Sequence, residues 1–249
     1  MAGRNCADIV FCIDASGSMK PCLDAVCENI ERLLEGLQSD AQTTWDVRFD
    51  FLAFHDSKDG VHWYRSVAME SCPLIESIYR NGPGKSTLFT KDLAAFKAGL
   101  KGIAVEGEEQ QLLALDIAMD YPWRPSDGCH RVVVLLTDEP VETGVAVDSQ
   151  TAKVDALIAK AMDKRIKLFV IAPESEAFYR LSSADRCEYD DSGAERGGLR
   201  NVDFGKMMTA IGKSVSVAQT YAGANSEPRP SFDQMEWTAT DRVDWGADS

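Results

Sequence analysis

Apolar residues along the chain follow two alternating patterns, short continuous runs and longer stretches with helical spacing. The continuous runs are typical of strands buried on both faces, and they occupy residues 7–14, 47–55, 131–138 and 167–173. A further short strand is predicted at 61–67, where the turn-forming residues before it would make a hairpin with the preceding strand. The stretches with helical spacing predict helices at residues 21–37, 90–101, 112–119, 150–163 and 203–217.

The alternation of strands with helices predicts the fold class. We expect an α/β, Rossmann-like doubly wound fold with a mostly parallel central sheet of about six strands, one antiparallel edge strand and helices on both faces. In sheets of this kind, ligands bind outside the carboxyl ends of the strands. The periodicity ends near Tyr221, so residues 1–221 are predicted to form the domain, and residues 222–249 a polar, acidic tail.

The charge and the cysteines narrow the choice of partner and compartment. The 40 acidic and 26 basic residues give a formal charge of −14, which would repel a phosphate backbone, so we expect no nucleic acid partner. No segment approaches the ~20 consecutive apolar residues that a membrane span needs. The seven cysteines are scattered, without a Cys-x-x-Cys pair, which favours a reducing compartment. A cytoplasmic protein without membrane contact is the expectation.

The residues that carry chemistry follow the first predicted strand, where Asp14, Ser16 and Ser18 alternate in sequence. Alternate residues of an extended segment point the same way, so one carboxylate and two hydroxyls can converge, while Gly17 permits the turn. Oxygen donors in small number suit Mg²⁺ or Mn²⁺ better than Ca²⁺, which takes more ligands. A capped turn before a helix, without any metal, is the simpler alternative.

The pattern Asp14-x-Ser16-x-Ser18 after an apolar strand resembles the metal-ion-dependent adhesion site of von Willebrand factor A and integrin inserted domains. The resemblance covers roughly residues 7–220. It implies that Asp138, at the end of the central apolar strand, is a metal ligand or holds a water. It also implies a module that binds a protein partner rather than an enzyme.

The middle loop of the site departs from the commonest pattern of this family, which supplies a Thr. The segment around Glu109 is more similar to the integrin β-type variant, in which a Glu precedes a helix, so the resemblance implies Glu109 as the ligand from this middle loop. Alternatives in the same loop are Glu106 and Glu108, and Thr87 or Thr90 would serve if the Thr pattern applies.

The resemblance also implies the kind of partner. Members of the family bind an Asp or Glu that a partner presents to the metal, and metal binding is coupled to movement of the last helix, here 203–217. Intracellular bacterial members work beside AAA ATPases, or beside kinase and phosphatase partners in tellurite-resistance-type stress systems, and such a partner is the expectation here.

Two other functions fit part of the pattern. A haloacid-dehalogenase-type phosphatase also places an Asp after its first strand and uses Mg²⁺, but it needs a second Asp as general acid where this chain has Ser16. A metal-free interaction scaffold is the other alternative, and it would gain no stability from Mg²⁺ or Mn²⁺.

Overall fold

A seven-stranded sheet forms the centre of the part of the chain that the structure describes. The computed structural model describes residues 5–38, 44–56, 62–66, 69–72, 88–107, 109–191, 197 and 199–222. The strands are β1 (Asn5–Asp14), β2 (Trp45–Asp56), β3 (His62–Ser66), β4 (Met69–Cys72), β5 (His130–Leu136), β6 (Ile166–Ile171) and β7 (Cys187–Asp190). Their order across the sheet is β4-β3-β2-β1-β5-β6-β7. Five neighbouring strands pair in parallel, in the order β2, β1, β5, β6 and β7.

Helices cover both faces of the sheet, as the fold class predicts. They are α1 (Lys20–Leu37), α2 (Leu93–Lys101), α3 (Gln111–Ala118), α4 (Val147–Thr151), α5 (Val154–Asp163), α6 (Glu176–Leu181) and α7 (Phe204–Ala222). Helices α1, α2 and α7 share one buried cluster with alternate residues of the strands, and α3, α5 and α6 share the other. In β1, Ile9, Phe11 and Ile13 face the first cluster, whereas Val10 and Cys12 face the second. The continuous apolar run is therefore buried on both sides.

The prediction that an edge strand is antiparallel to the parallel strands of the sheet was wrong. The antiparallel strand is β3, which forms the expected hairpin with β2, but β4 pairs antiparallel with β3 and lies outside it. The edge strand β4 therefore runs in the same direction as β2. The sequence did not predict β4 or β7 because each has only four residues, too few to show a period.

The predicted helix 150–163 is two helices in the structure, α4 and α5. Gln150 is buried, and its side chain accepts a hydrogen bond from the backbone N–H of Leu112 at 2.8 Å. This contact satisfies one donor in the first turn of α3. The predicted last helix extends further than expected, to Ala222, which is the first residue of the predicted tail 222–249. The rest of that tail, 223–249, lies outside the described residues.

Helices α1 and α7 cross in close backbone contact at two glycines. A Cβ on Gly36 would lie 2.4 Å from the carbonyl oxygen of Thr209, and a Cβ on Gly212 would lie 2.3 Å from that of Leu33. No side chain larger than hydrogen fits at either position without movement of a backbone. The α7 helix is also linked to the sheet through Ser214, which hydrogen-bonds to Glu188 of β7 at 2.9 Å.

An ion-pair network around one buried carboxylate lies at the amino end of the sheet. The carboxylate of Asp8 in β1 is fully buried and accepts hydrogen bonds from the guanidinium groups of Arg48 and Arg124. Burial alone would raise the pKa of Asp8, but the hydrogen bonds from Arg48 and Arg124 outweigh it, and the pKa is lowered. The network joins β1, β2 and the segment before β5, at the end of the sheet opposite Asp14.

Candidate metal centre

The first loop of the site follows β1 and carries Asp14, Ser16 and Ser18. Asp14 is fully buried, and its Oδ1 accepts a hydrogen bond from the backbone N–H of Ser16 at 2.7 Å. The Ser16 and Ser18 hydroxyl oxygens lie 3.3 Å apart. Because Ser16 is buried and Ser18 is exposed, the two hydroxyls lead from the buried carboxylate to the protein surface.

The second element of the site is the loop after β5, which carries Thr137 and Asp138. Strands β1 and β5 are parallel neighbours, so the two loops emerge side by side at the carboxyl edge of the sheet. The Thr137 hydroxyl donates a hydrogen bond to Asp14 Oδ2 at 2.9 Å. Asp138 is 1% exposed, and its Oδ2 accepts a hydrogen bond from the backbone N–H of Gly197 at 3.0 Å.

The third element is the loop between α2 and α3, which carries Glu109. Glu106 joins this loop to the first one, because its backbone N–H donates to the carbonyl oxygen of Ala15 at 2.8 Å. Gly107 allows the close approach of the loop to β2: its φ is +87°, and a Cβ there would lie 2.0 Å from the Asp56 carbonyl oxygen. These contacts bury Glu109 at the same edge of the sheet, with 8% of its surface exposed.

The three loops bring negative charges together. Burial, followed by the negative charge of Glu109 and then that of Asp138, raises the pKa of the Asp14 carboxyl well above its usual range. The hydrogen bonds from Ser16 and Thr137 lower the pKa and offset the increase only in part. A buried carboxylate beside two others is unfavourable unless a proton or a cation neutralises it.

Two glutamines that follow Glu109, Gln110 and Gln111, contact residues around the candidate site, although no sequence pattern singles them out. Gln110 Nε2 donates to Asp56 Oδ2 at 2.6 Å, which holds the loop to the end of β2. Gln111 is fully buried and its Nε2 donates to the carbonyl oxygen of Glu139 at 3.2 Å, an oxygen 3.4 Å from the Thr137 hydroxyl. Within the part of the chain that the structure describes, Gln111 Oε1 has no hydrogen-bond partner.

The alternatives for the third loop are placed differently. Glu108 and Thr87 lie outside the described residues. Thr90 pairs through its backbone with Phe49 of β2. The β2 residue opposite Asp14 is Phe54, five residues further along the strand. At the rise of a strand this is about 17 Å from the site, so Thr90 is too far away to contribute a ligand.

The residues present fit a hard divalent cation. The donors at this edge are carboxylate and hydroxyl oxygens, which Mg²⁺ and Mn²⁺ prefer, and a cation would offset the repulsion that raises the pKa of Asp14. In the described ranges, no three His, Cys, Asp or Glu side chains are arranged to hold a metal ion, so Asp14, Glu109 and Asp138 do not form such a group as they stand. The ligand set of Asp14, Ser16, Ser18, Glu109 and Asp138 therefore stays a prediction.

Solved structures of other proteins have a similar arrangement of strands and helices. The chain superposes on proximal thread matrix protein 1 from the mussel byssus with a TM-score of 0.51 and 13% sequence identity, over 87% of this chain and 48% of that one. A second structure of that protein, with a zinc-occupied MIDAS motif, gives a TM-score of 0.50 and 14% identity over 86% of this chain and 46% of that one. The chain has a von Willebrand factor A-like fold.

Two further matches show how much of a larger protein an A-like domain can occupy. The pilus adhesin SpaC from Lactobacillus rhamnosus GG gives a TM-score of 0.50 and 15% identity over 86% of this chain and 31% of that one. The alpha-protein kinase vwkA of Dictyostelium discoideum is 26% identical over 136 residues, which are 54% of this chain and 19% of the kinase. The chain therefore spans less than half the length of each of these proteins. No protein-family profile matches the chain.

Proposed function

We propose that this chain is a divalent-cation-dependent module that binds a protein partner through a carboxylate, and that it is not an enzyme. The observation that carries the proposal is the junction of loops at the carboxyl edge of the sheet, where the buried Asp14 accepts hydrogen bonds from both Ser16 and Thr137. Mg²⁺ or Mn²⁺ bound there would supply a Lewis-acidic position that an Asp or Glu of a partner can occupy.

The arrangement of donors supports binding from one side only. Asp14, Ser16 and Asp138 are buried, whereas Ser18 and Gly17 are exposed, so the open side of the site faces solvent at the first loop. The hydrogen bonds that Asp14 accepts hold its carboxylate in place before any cation enters. Outer contacts of this kind set the orientation of metal ligands and their affinity.

The chemistry of catalysis has less support. A phosphatase of the haloacid-dehalogenase type needs an acid two residues after Asp14, and Ser16 there bonds to Asp14 through its backbone while its hydroxyl lies beside Ser18. The proposed partner is therefore a protein with an accessible Asp or Glu. An AAA ATPase, or a kinase or phosphatase, remains the proposed class, and the match to vwkA, which is named as a kinase, supports a link to kinase systems.

Binding of Mn²⁺ to the full chain tests the proposal directly. Mn²⁺ binding is measured by calorimetry and by water-proton relaxation for the wild-type chain, for Asp14→Asn, and for Asp24→Asn as a control. Asp24 is exposed and pairs with Lys20, so its change should leave Mn²⁺ affinity unaltered. We expect one Mn²⁺ per wild-type chain, competition by Mg²⁺, and no binding by Asp14→Asn.

An open coordination position gives a second expected result. Adding a short peptide with one Asp to the Mn²⁺-loaded chain should lower water-proton relaxation, because the carboxylate displaces a bound water, whereas the same peptide with Asn should not. Binding of Mn²⁺ with no response to the Asp peptide would contradict carboxylate recognition. Equal thermal stability with and without the cations would favour a metal-free scaffold, and cation-dependent hydrolysis of phosphoesters that Asp14→Asn abolishes would favour a phosphatase.

A further inference from the structure

Two cysteines that are far apart in sequence lie side by side at the amino end of the sheet. Strands β1 and β5 pair in parallel from Ala7 opposite His130, so Cys6 and Cys129 occupy the position just before this first pair. The ring of His130 packs at a tilt against that of Trp45, with centroids 5.6 Å apart. Side chains of neighbouring residues in a strand point to opposite faces, so the two cysteines share the other face of the sheet.

The positions of the two cysteines satisfy the first requirement of a disulfide. Neighbouring strands lie about 4.8 Å apart, which is inside the range of about 4.4–6.8 Å for the Cα atoms of bridged cysteines. Burial raises the pKa of the Cys129 thiol, and the two thiols lie close enough together that Cys6 contributes to this increase. A bridge between them therefore needs rotation of the side chains and an approach of the two backbones by about 1 Å.

Accessibility gives the two thiols different roles. Cys6 is partly exposed, whereas Cys129 is 7% exposed and its thiol donates to the carbonyl oxygen of His130 at 3.6 Å. An oxidant in solution can reach Cys6 first. Cys129 is then the neighbouring thiol that completes the reaction.

We propose that Cys6 and Cys129 form a reversible disulfide by exchange with a small disulfide such as oxidised glutathione. The Cys6 thiolate attacks one sulfur of the small disulfide, which forms a mixed disulfide and releases one thiolate. The Cys129 thiolate then attacks the Cys6 sulfur, which forms the Cys6–Cys129 bond and releases the second thiolate. The two cysteine sulfurs are oxidised, the small disulfide is reduced to two thiols, and the two cysteine protons pass to those thiols.

The geometry favours a bridge that is easily reduced. Side chains on adjacent parallel strands point the same way, so their Cβ atoms lie about 5 Å apart, whereas an unstrained disulfide places them about 3.8 Å apart. Strained disulfides are reduced more readily and belong to the regulatory class. In the reduced protein, burial raises the pKa of Cys129, so this thiol stays protonated and the partly exposed Cys6 reacts first.

The other described cysteines provide controls. Cys12 and Cys22 are fully buried in separate core clusters on opposite faces of the sheet, and Cys27 donates to a backbone carbonyl in the α1–α2 contact. Cys187 is in β7 and is partly exposed, like Cys6. Cys187→Ser is therefore the matched change that removes a partly exposed cysteine outside the proposed pair.

The test exposes the full chain to a series of ratios of reduced to oxidised glutathione, blocks free thiols in acid, and identifies linked peptides by mass spectrometry. We expect a Cys6–Cys129 link that forms in the wild-type chain and in Cys187→Ser and that reduced glutathione reverses. In Cys129→Ser, the glutathione adduct on Cys6 should increase by about tenfold or more, because the neighbouring thiol that removes it is absent. In Cys6→Ser, Cys129 should stay unmodified.

The outcomes separate the proposal from chance oxidation. An equal level of Cys6 adduct in the wild-type chain and in Cys129→Ser would overturn it, as would a link between any other cysteines. A Cys6–Cys129 link that forms only in urea would also overturn it, because the folded sheet is what holds the two thiols together. Thermal unfolding of each variant under reducing conditions confirms that the substitutions leave the fold intact.

Discussion

Thr137 donates its hydroxyl hydrogen to the buried carboxylate of Asp14 at 2.9 Å. The two residues come from the ends of neighbouring parallel strands, separated by more than a hundred positions in sequence. This single bond joins the loop after β1 to the loop after β5 in the candidate metal centre. It also orients the one carboxylate around which the other acidic groups are arranged.

Replacement of Thr137 by Val, which keeps the shape and removes the hydroxyl, should weaken Mn²⁺ binding by roughly 10- to 100-fold. The reason is that Asp14 loses the partner that orients its Oδ2. Calorimetry on the folded variant measures the change. Thr151→Val is the control, because Thr151 is an exposed residue of α4; if both variants bind Mn²⁺ equally well, the hydroxyl has no part in the site.

Asp14→Asn should abolish cation binding and at the same time stabilise the metal-free protein. The Asp14 carboxylate is buried beside Glu109 and Asp138, whose negative charges repel it. A neutral Asn side chain removes this repulsion. Thermal unfolding in EDTA should give a higher midpoint for the variant than for the wild-type chain. Mg²⁺ should raise the midpoint of the wild-type chain alone. A variant that melts lower than the wild-type chain in EDTA would show that the carboxylate is not repelled.

Asp8→Asn should destabilise the protein at neutral pH by about 3 kcal/mol, the lower end of the range for breaking a buried ion pair, because it leaves two half-buried arginines without their carboxylate. The pKa of Asp8 is lowered in the folded protein by its hydrogen bonds with Arg48 and Arg124. The folded state thus binds its proton less tightly than the unfolded chain does. The stabilisation is present above the ordinary value of 3.8 and is lost as the pH falls through the lowered pKa.

Urea unfolding across this pH range measures the Asp8 contribution. The difference in the free energy of unfolding between the wild-type chain and Asp8→Asn should shrink as the pH falls below 3.8. The exposed pair of Lys20 and Asp24 supplies the comparison, since Asp24→Asn should change stability by less than about 1 kcal/mol. Mn²⁺ affinity at neutral pH should be unchanged in Asp8→Asn, because Asp8 lies at the opposite end of the sheet.

Gly212→Ala should destabilise the protein by about 1–3 kcal/mol, as expected when an atom is forced into a closely packed contact. The added Cβ would lie 2.3 Å from the Leu33 carbonyl oxygen and 2.8 Å from the Leu37 nitrogen. Chemical denaturation measures the loss. Gly128→Ala is the control, because nothing lies within 4 Å of a Cβ there. If the two substitutions have the same effect, the helix contact is looser than the backbone positions indicate.

The sequence predicted most of the frame and only part of the site. Buried strands such as β1 and β5 carry a continuous apolar signal. Because the two strands are parallel neighbours, the loops that follow them lie at the same edge of the sheet. Strands β4 and β7 were not predicted, because four residues with mixed side chains show no period. Thr137 could be suspected only as the neighbour of Asp138, and Gln111 had no signal at all, since its contact with Glu139 depends on how two loops fold together. The Cys6–Cys129 pair was likewise invisible, because strand register, not spacing, brings the thiols together.

The glycine crossing of α1 and α7 has a consequence for how a signal could leave this domain. A shift of α7 along its own axis by one turn, about 5.4 Å, would bring Met208 or Ser216 to the place of Gly212, opposite a backbone that leaves space for a hydrogen atom only. The backbone of α1 therefore blocks a shift of α7 by one turn in either direction. If the domain transmits the state of its metal centre to a neighbour, the helix must pivot about this crossing or unwind at an end.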